Sequence, residues 1–380
     1  MRSDRIFWLG PALFFIISAG VAAGENTPVA RFDWGVAYYL SYDNNLGPAM
    51  PVVVKAIRDG IKSDNVVAGV QVDLPGPGGM QRGAITSTGS KLEKVTSDDS
   101  ANEDQAIAFL DWFVQKYPCK HYVFAFLDHG GDLDEMCLDL EPETAGKFYM
   151  SGRVLGEKLR KFKATLPVGH LELLFFQQCG RGSLENLYSF RGIADYVLLS
   201  PLPVGTPNTY YTPLSLWLGK NPDSTGKAVA DTIATEDRDF TVYTCVKSAS
   251  IDDLPEKLNT ALKPFLAAPD LKIPERTPAA YTNPDTREST RDARRWLSDL
   301  ATINASREGR ASIDTFQKWV DEELIVKRWF KKDHADLEQS FCGLTLFVPA
   351  NHAEAVKYKA LGLYAASAIG ELWLKLFDDK

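Results

Sequence analysis

Basic blocks are missing from this sequence. Apart from a short run at 158–163 on a predicted helix, no lysine- or arginine-rich stretch stands out. The formal charge is −8 and the pI about 5.3, which argues against nucleic acid as the main partner. Beyond the N-terminal residues no apolar run is long enough to span a bilayer. The five cysteines (119, 137, 179, 245 and 342) contain no CxxC pair, so a structural zinc site is not expected. Their odd number leaves at least one outside any disulfide set in an exported chain, and the four besides Cys179 could pair in three ways or not at all. There is no internal repeat. What is present is ordinary globular composition: 380 residues, 45% hydrophobic and 24% charged, enough to build a core without metals or staples.

The first residues carry a targeting pattern. Arg2 and Arg5 precede a nearly all-apolar stretch at 6–17, followed by the small residues Ser18-Ala19-Gly20-Val21-Ala22-Ala23. Charged, hydrophobic and small-residue regions in that order read as a secretory signal over 1–23, cleaved after Ala23 or Gly24. The chain is therefore expected to be secreted or periplasmic, membrane-attached only if the signal stays uncleaved, and monomeric.

Short aliphatic and aromatic runs at 34–40, 66–74, 121–127, 171–176 and 196–199 read as strands buried on both faces, as in a parallel sheet. Amphipathic stretches at 102–117, 153–166 and 184–191 lie between them. The alternation predicts an α/β fold, a three-layer αβα sandwich with a mostly parallel central sheet. Residues 269–290, rich in proline and polar side chains, read as a linker or surface excursion. Beyond it, 292–303 and 313–330 look helical, 344–348 strand-like and 353–377 like one long helix. This gives a catalytic domain over 30–250 and a smaller, mainly helical region over 251–380.

Two loops follow predicted strands directly: Asp128-His129-Gly130-Gly131 and Gln177-Gln178-Cys179-Gly180-Arg181-Gly182. Both fall at the carboxyl edge, where parallel sheets collect their active sites. A thiol is a strong nucleophile as its thiolate, which a neighbouring imidazole favours, and the same imidazole can protonate a leaving amine. Small residues beside each group allow backbone N–H groups to reach a developing oxyanion, Gly130 and Cys179 being the candidates. Cys179 follows His129 by 50 residues (179 − 129), the spacing of caspase-type enzymes with their Q-A-C-[RQG]-G element. Gln177, Cys179 and Gly180 match that element; Gln178 and Arg181 depart from it.

These motifs resemble the clostripain-like cysteine peptidases of the caspase-haemoglobinase-gingipain group, over most of the mature chain. The resemblance is carried by Trp34-Gly-Val-Ala-Tyr-Tyr-Leu, Asp43-Asn44-Asn45-Leu46, Val70-Gln71-Val72-Asp73, the histidine motif ending at Gly131, and Gly343-Leu-Thr-Leu-Phe-Val-Pro349. It implies a caspase-like fold, a polypeptide substrate and a catalytic dyad of His129 and Cys179. Where the family has an Asp two residues before the nucleophile this chain has Gln177. Where it has Ser-Glu-Glu, this chain has Ser200-Pro201-Leu202. Those acids bind a P1 Arg or Lys in the family, so basic specificity is not carried over. Gln177, Ser200 and Arg181 are the candidate substrate-binding residues, with Arg181 either contacting an acidic P1 side chain or simply facing solvent. The acidic run Asp132, Asp134, Glu135, Asp139 and Glu141 could hold calcium, as in some relatives, but lacks calcium-loop spacing and reads as a solvated loop with no cofactor. Other readings of the same residues are a binding protein on a degenerate peptidase fold and a transpeptidase using the same dyad.

Overall fold

The computed structural model describes residues 29–76, 79–143 and 146–377; the signal expected at 1–23 lies outside them. The strands in chain order are β1 (Phe32–Ser41), β2 (Val66–Asp73), β3 (Gln81–Thr86), β4 (Gly89–Lys94) and β5 (Cys119–Leu127). Next come β6 (Glu135–Leu138), β7 (Tyr149–Ser151), β8 (His170–Gln177), β9 (Tyr196–Leu199) and β10 (Val242–Lys247). The last are β11 (Ala279–Thr282), β12 (Ser289–Asp292), β13 (Ile325–Phe330) and β14 (Thr345–Phe347). Nine of them form one mixed sheet in the order β13-β10-β9-β8-β5-β1-β2-β3-β4. Its five central strands run parallel, and antiparallel pairs extend both edges.

The near-continuous apolar runs form strands because both sheet faces are covered. Along β1, Trp34, Val36, Tyr38 and Leu40 enter one core, whereas Ala37 and Tyr39 enter the other. Helices Met50–Gly60, Tyr211–Lys220 and Gly226–Glu236 cover the first face. Helices Glu103–Lys116, Gly152–Ala164 and Leu254–Leu266 cover the second. This is the expected three-layer α/β sandwich.

The region after residue 250 is largely helical, but it also supplies β13 to the main sheet. The helix expected over 313–330 widens to a π-helical turn at Val320–Leu324 and ends there, and Ile325-Val-Lys-Arg-Trp-Phe330 pairs instead with β10. Its β-branched and aromatic residues suit a pleated edge better than a helix. The stretch read as a linker holds β11 and the start of β12, a hairpin in a second sheet with β14. The long terminal helix is divided into His352–Lys357, Gly362–Ala366 and Ile369–Phe377. The Ser367 hydroxyl bonds back to the Leu363 carbonyl at the last break, a local alternative to continued helix.

Candidate active site

Strands β5 and β8 are adjacent and parallel, with Leu127 opposite Gln177. His129 and Cys179 each lie two residues beyond that pair, so strand register alone delivers them to the same level of the carboxyl edge. The two loops then touch. A Cβ on Gly130 would collide with the Cys179 carbonyl oxygen, so only glycine fits that close approach. Gly180 has φ 69°, the left-handed turn that aims the nucleophile loop back over the sheet.

The His129 Nε2 lies 2.7 Å from Asn45 Oδ1. An amide oxygen accepts, so Nε2 carries the hydrogen and Nδ1 keeps the lone pair. Asn45 was visible only as part of the Asp43-Asn44-Asn45-Leu46 element; the sequence assigned it no role. Asn44 holds the same turn in place, donating to Asp128 Oδ1 at 2.8 Å and to the Leu138 carbonyl at 2.9 Å. Burial pushes the Asp128 carboxyl well above its usual range. Burial also lowers the His129 imidazole, with the Asp285 carboxylate acting in the opposite direction.

Cys179 is the one half-buried cysteine of the five, and all five are free thiols. Its Sγ accepts the Val204 N–H at 3.3 Å and lies 3.5 Å from the Val204 carbonyl. Burial pushes the thiol up, against the Val204 N–H and the Arg181 charge. Both shifts favour the uncharged forms, and each group is bonded to a third group, Val204 for the thiol and Asn45 for the imidazole. The backbone N–H groups of Gly130 and Cys179 donate to no other described residue.

Three candidate substrate-binding residues have other occupations. Arg181 is 4% exposed, so it does not face solvent, and all five of its N–H groups meet backbone carbonyls. Nη2 donates to Gly131 at 2.8 Å and Asp132 at 2.9 Å, Nη1 to Leu133 at 3.3 Å and to Glu135, and Nε to Cys179 at 3.4 Å. It staples the histidine loop to the nucleophile loop and has no donor left for an acidic side chain. Gln177 is closed by Tyr210 and Tyr211, whose hydroxyls donate to its Oε1 at 2.7 and 3.1 Å, and by Asn208. The Ser200 hydroxyl is buried, with its single O–H between the Leu202 and Val242 carbonyls at 2.8 and 2.7 Å. The sequence located these residues beside the nucleophile but could not show that their polar atoms are already satisfied.

The β11–β12 hairpin, read from sequence as an excursion, forms the other side of the site. Its turn is anchored on the histidine loop: Asn283 Nδ2 donates to Asp132 Oδ1 at 2.9 Å, Thr286 donates to the same carboxylate, and Glu288 Oε1 accepts the Leu133 N–H at 2.7 Å. Lys357 bridges Asp132 and Glu288 at 3.0 and 2.9 Å. This places Tyr281 against Gly180, where an added Cβ would lie 2.5 Å from its Cε1. The acidic run is therefore not a solvated loop. Asp132 holds the hairpin, Asp134 accepts from Ser151 and Arg153 at the start of a helix, and Asp139 accepts from Ser100 and Glu141. Among the described residues no group of three or more acidic, His or Cys side chains could hold a metal ion.

No protein-family model matches the chain, and no curated protein matches it. Solved structures do. An inactive zymogen C11 protease from Parabacteroides distasonis superposes with a TM-score of 0.62 at 18% identity, covering 89% of this chain and 99% of that one. A secreted C11 cysteine protease from Bacteroides thetaiotaomicron, solved with an irreversible peptide inhibitor, superposes with a TM-score of 0.63 at 16% identity, covering 88% and 99%. At this identity the likeness shows a shared fold: the chain has the three-layer architecture of the C11, or clostripain-like, cysteine proteases along nearly its whole described length.

Proposed function

We propose that this chain is an exported cysteine endopeptidase in which Cys179 is the nucleophile and His129 its proton-transfer partner. The observation that carries the reading is that strand register brings the loops bearing His129 and Cys179 to one level of the sheet edge, where Arg181 staples them together. The C11 fold and the peptide inhibitor held by one neighbour support it.

In the first step His129 Nδ1 takes the Cys179 thiol proton and Sγ attacks the scissile carbonyl carbon. The Sγ hydrogen bond to Val204 is exchanged for substrate, as resting geometries in such sites commonly tighten on binding. The oxyanion forms within reach of the Gly130 and Cys179 N–H groups, which donate to no other described residue. Imidazolium then protonates the leaving amine, the C–N bond breaks, and a thioester remains on Cys179. A water deprotonated by His129 attacks the thioester, releasing the carboxylate product and returning the proton to sulfur.

The P1 preference departs from Arg and Lys, because Gln177 and Ser200 are neutral and internally bonded. Export rests on the N-terminal signal pattern; among the described residues no helix is long and apolar enough to cross a membrane. A peptide-binding protein without turnover is the second reading, favoured by the neutral, separately bonded thiol and imidazole. Treatment with a peptidyl acyloxymethyl ketone and cleavage of a random peptide pool separate the two. The peptidase reading expects stoichiometric labelling at Cys179 and cleavage that Cys179→Ala abolishes. A folded protein that neither labels nor cleaves, or an active Cys179→Ala variant, overturns it.

A further inference from the structure

The residues around Sγ specify more than the absence of a basic pocket. The segment after β9 runs antiparallel to the chain before β10: the Gly205 N–H bonds the Asp239 carbonyl and the Thr241 N–H bonds the Pro203 carbonyl at 3.1 Å. In an extended strand, alternate residues turn their N–H and C=O groups to opposite sides. Val204 therefore presents both groups away from that pairing, toward Sγ, which is where they are found. This open edge can pair with an extended peptide whose carbonyl is delivered to the thiol.

Two apolar side chains of one cluster stand near this edge. One is Leu202, two positions before Val204; it is 6% exposed and packs with Val242 and Phe341. The other is Tyr281, partly exposed and joined to the same apolar cluster. Its ring lies on Gly180, and its phenol makes no hydrogen bond to a described residue. The polar groups nearby are consumed: Arg181 by carbonyls, Gln177 by two tyrosines and Asn208, Ser200 by Leu202 and Val242.

We infer that Tyr281 and Leu202 form the walls of the P1 subsite and make the enzyme selective for a large apolar residue at that position. Tyr281 is then a specificity-determining residue supplied by a hairpin about 100 positions beyond the nucleophile. The inference rests on the peptidase reading.

The test measures kcat/KM on fluorogenic tetrapeptide amides that differ only at P1, carrying Phe, Leu, Ala, Arg or Asp, with wild type, Tyr281→Ala and Tyr281→Phe. Wild type is expected to favour Phe and Leu over Arg and Asp by about 10-fold or more. Tyr281→Ala should lose about 10-fold on Phe and Leu and less than about threefold on Ala, while Tyr281→Phe keeps the wild-type profile. Preference for Arg or Asp, or an equal loss on every substrate in Tyr281→Ala, overturns the inference alone. No cleavage of any substrate, together with no acyloxymethyl ketone label at Cys179, overturns the peptidase reading with it.

Discussion

Replacing Arg181 with lysine keeps the buried positive charge but changes the number and geometry of its donors. The guanidinium serves five carbonyls, those of Gly131, Asp132, Leu133, Glu135 and Cys179. An ammonium has three donors on a point charge, so at least two carbonyls lose their partner. Each buried polar group left unpaired costs about 1–3 kcal/mol, giving a loss of about 2–6 kcal/mol in Arg181→Lys. That is a large share of the roughly 5–15 kcal/mol that holds a typical domain together. With a urea slope of about 3 kcal/mol/M, the unfolding midpoint should fall by about 1–2 M. The same bonds set the spacing of the loops bearing His129 and Cys179, and a displacement near 1 Å can cost about 100-fold. Turnover should therefore fall more than KM rises, with the P1 profile unchanged. An unchanged midpoint in Arg181→Lys would refute the staple. A variant of normal stability that lost only its activity on acidic P1 residues would show that Arg181 binds substrate after all.

Two further expectations concern neighbouring groups. Glu185, fully buried six residues after the nucleophile, has its carboxyl pushed up to about 7 by burial. Its Oε1 accepts the Phe347 N–H at 3.1 Å and its Oε2 is unpartnered among the described residues. Because the folded state holds this proton more tightly than the unfolded chain, the contribution is most favourable below about pH 4.5 and is lost as pH rises to about 7. The loss amounts to about 3 kcal/mol. Glu185→Gln keeps the acceptor and should remove that slope; denaturation at pH 4 and pH 8 showing the same wild-type-to-variant difference would contradict the assignment. Asn45→Ala removes the acceptor of the His129 Nε2–H and should lower kcat about 10-fold with little change in KM. Asn45→Asp should restore turnover and raise the acidic limb of the pH–rate profile, since an anion favours imidazolium. Full kcat in Asn45→Ala would show that the contact does not orient the base.

The five parallel strands were legible because each is apolar on both faces, a pattern available from local sequence, whereas the half-exposed β3 and exposed β4 were not. His129 and Cys179 were legible because each follows such a strand directly, so the order of elements fixes their edge. What escaped was set by partners distant in the chain. β13 looks helical in isolation and becomes a strand by pairing with β10, some 80 residues earlier. Arg181 resembles any surface arginine until five carbonyls from two loops are found around it. The hairpin bearing Tyr281 reads as polar and proline-rich because its anchors are the carboxylates of Asp132 and Glu288 and the cation of Lys357, not a hydrophobic stripe. Hydrogen bonding of that kind leaves no periodic trace.

That hairpin also makes the order of synthesis matter. A chain that has emerged only to residue 268 already contains both His129 and Cys179, yet it lacks Tyr281, the Glu288–Lys357 clamp and the strand that closes the β10 edge. It is an incomplete sheet with an open border, prone to sticking to other extended chains. The cutting site is finished only when residues beyond 350 have arrived to lock the hairpin on the histidine loop. On the peptidase reading, that order keeps His129 and Cys179 apart from their hairpin wall until synthesis is nearly complete.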